Sequence, residues 1–229
     1  MSIETPTITE QARALQSASA ARLPADVIGA FAADQAALDA RGVPRNVLAA
    51  GAVMPDGDLL DVHGASTSLT RLRVGKPAVV VFYRGAWCPY CNIALRTYQI
   101  ELVPALTERG FELIAVSPQK PDGSLTSAQS NELTFTVASD PGNEIAAAVG
   151  IMSDPSPDSV AAQIKLGLDL AEVNADGGRT LPMPTVVVVD AAGVIQCRRP
   201  TANEPRNVRP CPGWMLTVCR SVLEPRPRR

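Results

Sequence analysis

Residues 79–95 read VVVFYRGAWCPYCNIAL, and this stretch restricts the fold more than any other. Val79, Val80, Val81 and Phe82 form an unbroken apolar run, as in a strand buried on both faces. The strand must turn into a helix between Gly85 and Pro89. Proline suits the first helical position, because its missing N–H would be unpaired there anyway. That places Cys88 at or next to the helix N-cap, with Cys91 one turn in on the same side. Unpaired N–H groups and the helix dipole favour negative charge at the N-cap. A thiol there should ionise below the ordinary cysteine range, toward about 3.5–7.5. Arg84, just before the turn, lowers it further. The two sulfurs can close a disulfide, so the stretch points to thiol redox chemistry.

Other uses of two such cysteines exist. A zinc site needs four ligands, usually from a second Cys-x-x-Cys or a pair of histidines. The remaining cysteines are Cys197, Cys211 and Cys219, with 13 and 7 residues between them. Two inert buried thiols are a third use. The single histidine, His63, sits in DVHGAS among turn-forming residues and reads as a surface turn. One histidine leaves most hydrolase triads and His-rich metal sites without their parts.

The blocks around this stretch alternate. Residues 1–50 are Ala-rich and helical in texture, in two pieces punctuated by Pro24 and Gly42. Two short helices bury too little surface to stand alone, so they read as a helical N-terminal extension packed on the main domain. From Gly51, MPDGDLLDVHGASTSLTRL has the short apolar pairs of a small hairpin. PAVVVFYR, FELIAVS, FTVAS and PTVVVVD read as four strands, with GVIQCR returning across the turn AAG. CNIALRTYQIELVPALTERG reads as one amphipathic helix: Leu95, Tyr98, Leu102 and Leu106 recur at three- and four-residue steps. DGSLTSAQSNEL reads as a polar helix or loop, EIAAAVG as a short helix, and DSVAAQIKLGLDLAEVNADGG as one longer helical block. Alternation of this kind predicts an α/β domain over residues 51–197, with a mixed sheet covered on both faces.

Charge separates the C-terminus from the body. The formal net charge is −2, which suggests no nucleic-acid partner for the whole chain. The last 34 residues hold eight arginines and two acids, about +6, against about −8 for the rest. Residues 198–229 read as a basic Pro/Arg-rich tail, either loosely ordered with one short helix near Trp214–Leu223 or a docking arm for an acidic partner or membrane surface. The N-terminus has no apolar core of a secretory signal, and no apolar run approaches the roughly 20 residues of a membrane helix. The expected compartment is the cytoplasm, where thiols stay reduced.

MPDGDLLDVHG, VVFYRGAWCPYCN, ELIAVSPQ, FTVASDPGNEIAAAVG and PTVVVVDAAGVI together resemble the alkyl hydroperoxide reductase/thiol-specific antioxidant group, in its peroxiredoxin-like, Cys-x-x-Cys-carrying branch. The resemblance runs from about Gly51 to Ile195 and implies a thioredoxin-like fold. In that fold the loop before the fourth strand, here Pro184 and Thr185, faces the cysteines; an X-Pro bond there is a candidate cis peptide. Laid on the family's pattern, the peroxide-attacking cysteine falls on Cys91 and the supporting Thr/Ser position on Cys88. The proline position falls on Arg84, and the family's later arginine on Pro184. Trp87 with the cysteine pair, and Pro184–Thr185, match thioredoxin instead.

The resemblance implies a thiol oxidoreductase in one of two versions. Cys88 attacks a disulfide and Cys91 resolves it, or Cys91 attacks a peroxide and Cys88 condenses with the sulfenic acid. Both end in a Cys88–Cys91 disulfide that a thiol donor, such as a thioredoxin-like protein, must reduce. Neither needs a bound cofactor or metal. Arg84 is positioned to hydrogen-bond a peroxide; Trp87 and Tyr90 either shape the entrance or pack. A homodimer is a family-level expectation. The alternative from another class is a non-catalytic binding module on a redox fold.

Overall fold

The computed structural model describes residues 6–121 and 132–200. The sequence reading of residues 122–131, and of the tail from residue 201, lies outside them.

Two helices lead in. α1 (Ile8–Ala20) starts from a capping box in which Thr7 and Glu10 satisfy each other's amides. α2 (Ala25–Arg41) starts after Pro24 and stops at Gly42, at φ +65. α1 is docked rather than free: Thr7 is buried, and Gln11 Nε2 donates to Thr97 Oγ1 at 3.2 Å.

The main body then runs β1 (Asp58–Leu60), β2 (Ser66–Ser68), α3 (Leu69–Arg73), β3 (Ala78–Phe82), α4 (Pro89–Thr97) and α5 (Val103–Thr107). It continues through β4 (Glu112–Ser117), β5 (Thr136–Ser139), α6 (Glu144–Val149), β6 (Met152–Ser153), α7 (Pro157–Lys165) and α8 (Leu170–Val173). β7 (Leu181–Pro182), β8 (Thr185–Val189) and β9 (Ile195–Pro200) complete it. The sheet order is β2-β1-β5-β4-β3-β8-β9, with β6 and β7 paired apart. β3 runs parallel to β4 and antiparallel to β8, so the sheet is mixed as expected.

β3 explains its own sequence. Val79 and Val81 face one apolar cluster with Leu95, Tyr98 and Leu106 beneath the α4–α5 segment. Ala78, Val80 and Phe82 face a second cluster with Ile114, Ile145 and Val187. Both faces are covered, so an alternating pattern would have left polar groups buried without partners.

Three expectations are corrected. The helix expected over 91–110 is interrupted by a wide turn at Tyr98–Leu102, where Val103 N–H donates to Tyr98 C=O. Pro104 has no N–H and its ring crowds the carbonyl one turn back; the wider turn accommodates both. The block read as one helix from Asp158 is two, α7 and α8. Gly167 at φ +84 ends the first, and the Asp169 carboxylate accepts the Ala171 N–H (2.9 Å) to start the second. The Met183–Pro184 bond is trans, since the described residues hold no cis peptide. The tertiary amide leaves the two forms within about 1 kcal/mol, so the sequence does not decide between them.

Leu95 is fully buried and ties α4 to β3. Leu95→Ala should destabilise the protein by about 2–5 kcal/mol in chemical denaturation, with α4 the first element to lose amide-exchange protection.

Candidate active site

β3 ends at Phe82, but Tyr83 N–H still donates to the Val116 carbonyl at 3.0 Å, so the chain keeps its direction up to the turn. Gly85 then takes φ +148, a conformation that favours glycine. A Cβ there would lie 2.5 Å from Trp87 Nε1 and 2.8 Å from Gln119 Oε1. Cys88 N–H returns to the Gly85 carbonyl at 3.1 Å and closes the turn. Cys88 is the N-cap of α4, extended at φ −87 and ψ 110, with Pro89 first in the helix. Its carbonyl accepts the Asn92 N–H at 3.1 Å. The N-cap placement read from Pro89 is the observed one.

Two side chains fix the turn from outside. Gln119 Oε1 accepts the Ala86 N–H at 2.7 Å, and Asn92 Nδ2 donates to the Ala86 carbonyl at 2.8 Å. Neither residue was among the site residues expected from sequence. Asn92 directly follows Cys91, and Gln119 ends the SPQ after β4, but apolar periodicity carries no signal for a side chain that holds a loop.

Cys88 and Cys91 are both free thiols and both buried, 6% and 5% exposed. Cys88 is lowered to about 7. The largest cause is the Cys91 thiol, which donates to the Cys88 sulfur; burial works against it. The Cys91 amide, the Arg84 charge and the Tyr90 amide each add to the lowering. Cys91 moves the other way, well above the usual thiol value, because its proton is held by Cys88, it is buried, and it faces the Cys88 charge. The two thiols are therefore ordered: Cys88 ionises first and Cys91 keeps its proton.

The other expected site residues fall as follows. Arg84 and Trp87 flank the turn, half-buried; Arg84 Nε and Trp87 Nε1 are buried donors without a hydrogen-bond partner among the described residues. Thr185 starts β8 directly opposite Phe82, at the end of β3 from which the turn leaves. Its hydroxyl donates to the Met183 carbonyl at 2.8 Å, and Met183 N–H donates to Ile151 C=O at 2.7 Å, which fixes the Pro184 loop. His63 is exposed in a turn built on the Asp61 carboxylate. Cys197 is buried and disulfide-bonded, a departure from the expectation of reduced thiols. Among the described residues no group of three or more His, Cys, Asp or Glu could hold a metal ion, and no helix is long and apolar enough to cross a membrane.

Residues 50–198 match the model of the AhpC/TSA family, about two thirds of the chain. The chain belongs to the AhpC/TSA family. Among its relatives, chloroplastic peroxiredoxin Q of Gentiana triflora is 32% identical over 104 residues, 45% of this chain and 47% of that one. Peroxiredoxin Bcp of Escherichia coli K12 is 30% identical over 114 residues, 48% of this chain and 70% of that one. The chain spans about half the length of several curated relatives it matches. Among solved structures, reduced Prx3 of Vibrio vulnificus with hydrogen peroxide aligns at TM-score 0.55 and 16% identity, covering 76% of this chain and 99% of that one. Peroxidoxin BcpB of Mycobacterium tuberculosis aligns at TM-score 0.52 and 20% identity, covering 67% and 86%. These likenesses establish the thioredoxin-like fold of the family.

The Cys91 thiol is the main support of the Cys88 charge. Cys91→Ala removes that donor and should move the Cys88 titration up from about 7 toward the ordinary thiol value of about 8.5. Cys91→Ser keeps a donor and should move it less. The rate of alkylation of the single remaining site thiol, followed against pH, measures both.

Proposed function

We propose that the protein is a thiol-dependent reductase that cycles the Cys88–Cys91 pair between dithiol and disulfide, with a peroxide as oxidant. The carrying observation is the asymmetry of the pair: a lowered thiol at a helix N-cap beside a raised one that can resolve it. The Cys88 thiolate attacks the distal oxygen of the peroxide. The O–O bond breaks, the departing oxygen takes a proton and leaves as water or an alcohol, and Cys88 becomes a sulfenic acid. The Cys91 thiol then attacks the Cys88 sulfur, expelling water and closing the disulfide. Two electrons from a thiol donor, such as a thioredoxin-like protein, reopen it. Arg84 and Trp87 supply donors toward the oxygen that carries charge as the O–O bond breaks.

The burial of both sulfurs favours a small acceptor over a disulfide on a folded protein. Membership of a family whose relatives include peroxiredoxins supports the same choice. A second reading, reduction of disulfides by the same Cys88, is supported by the Trp-Cys-x-x-Cys sequence and by Pro184–Thr185 beside β3. Either cycle needs a compartment that keeps the pair reducible, and the cytoplasm is such a compartment. In this reading residues 51–197 are the redox domain and residues 1–50 a lead-in docked on it.

Stopped-flow peroxide consumption by the reduced protein tests the reading beside Cys88→Ser and Cys91→Ser. Cys88→Ser should lose peroxide reduction. Cys91→Ser should react once, leave a sulfenic acid on Cys88, and fail to turn over with a dithiol-specific donor. Rapid peroxide loss in Cys88→Ser but not Cys91→Ser would make Cys91 the attacking thiol. Slow peroxide loss in every form, with fast reduction of a small disulfide that needs Cys88, would select the second reading.

A further inference from the structure

The turn that carries Cys88 is held by two side chains that reach it from different elements. The Ala86 N–H goes to Gln119 and the Ala86 carbonyl receives Asn92, at 2.7 and 2.8 Å. Both polar groups of one residue are therefore taken by side chains, not by the sheet or the helix. Asn92 belongs to α4, so its bond ties the turn to the helix the turn feeds. Gln119 lies just beyond β4 and is itself braced. Its backbone bridges Asn174, Lys120 N–H donates to Val173 C=O at 2.9 Å, and Ala175 N–H donates to Pro118 C=O at 2.9 Å. A strut thus runs from α8 through residues 118–120 to the residue two before Cys88.

We infer that Gln119 and Asn92 are positioning residues for the attacking thiol: by clamping Ala86 they hold Cys88 in the N-cap conformation. The inference rests on the reading of Cys88 as the attacking thiolate. The physical link is short. The Tyr90 and Cys91 amides favour the Cys88 charge from the first turn of α4, and its sulfur lies beside them while its backbone is extended, without a cap hydrogen bond. Gly85, at φ +148, has no side chain to restrain that angle itself. A turn released at Ala86 lets the N-cap residue swing away, and its sulfur then loses the amides that favour its charge. Arg84, the charged group that acts on the sulfur, is left unchanged by either substitution at Gln119 or Asn92. The change therefore reports on the turn.

The test uses Gln119→Met, which keeps bulk but removes the acceptor, and Asn92→Ala, which removes the donor from the other side. The two act from separate elements, so one remains informative if the other does not fold. Thiolate absorbance of the reduced protein is titrated against pH, and the Cys88–Cys91 disulfide is equilibrated with glutathione. Each variant should lower the thiolate fraction at neutral pH about threefold and shift the glutathione equilibrium toward the disulfide. The double variant should add little, because both bonds act through Ala86. A variant that melts earlier but leaves titration and equilibrium unchanged would overturn the inference and leave the clamp merely structural. Effects that simply add would also overturn it, since they would not share one turn. A wild-type protein that titrates as described but reduces no peroxide or disulfide would contradict the proposed function and not the clamp.

Discussion

The site depends on what surrounds one sulfur: the Cys91 thiol donates to Cys88, and the first turn of α4, which Cys88 caps, adds N–H groups with no helical partner. Ser or Asp at an N-cap would fill that role with an oxygen. A sulfur fills it well only as a thiolate, so the local demand of the helix favours the ionised cysteine. Pro89 sharpens the arrangement by removing the amide nearest the cap. Cys91, three residues on, adds its own proton to the same charge and gives up its tendency to ionise. The pair is thus ordered by the Cys91 proton and the helix start together before any substrate arrives.

The rest of the structure keeps that start in place. β3 is buried on both faces and locked between β4 and β8, so its end is a fixed point. Leu95 and Tyr98 root α4 in the same cluster as Val79 and Val81. Between these rigid parts the chain has only Arg84 to Trp87 in which to turn, and Gln119 and Asn92 hold the middle of it. Thr185 pairs with Phe82, so the strand that follows Pro184 reaches the level from which the turn departs.

Much of this was legible in the residues themselves. The apolar run of β3, the proline at the helix start and the Cys-x-x-Cys spacing are short-range signals, and each one fixes local geometry without help. The hairpin near Asp61, the limits of α2 and the strand at Thr185–Val189 follow in the same way. What was not legible depends on distance or on near-equal choices. Pro104 and Gly167 were visible, but the helical pattern around them outweighed their effect. The Met183–Pro184 bond turns on a small energy difference that tertiary contacts decide. Gln119 meets Ala86 across 33 residues of sequence, and nothing in its surroundings marks it as a loop holder.

The most direct measurement is pulsed alkylation of the reduced protein at neutral pH, followed by peptide mapping of Cys88 and Cys91. The account predicts that label enters Cys88 first and that its rate falls as pH drops below about 7, while Cys91 stays unlabelled until Cys88 is blocked. Early label on Cys91, or equal label on both, would contradict it.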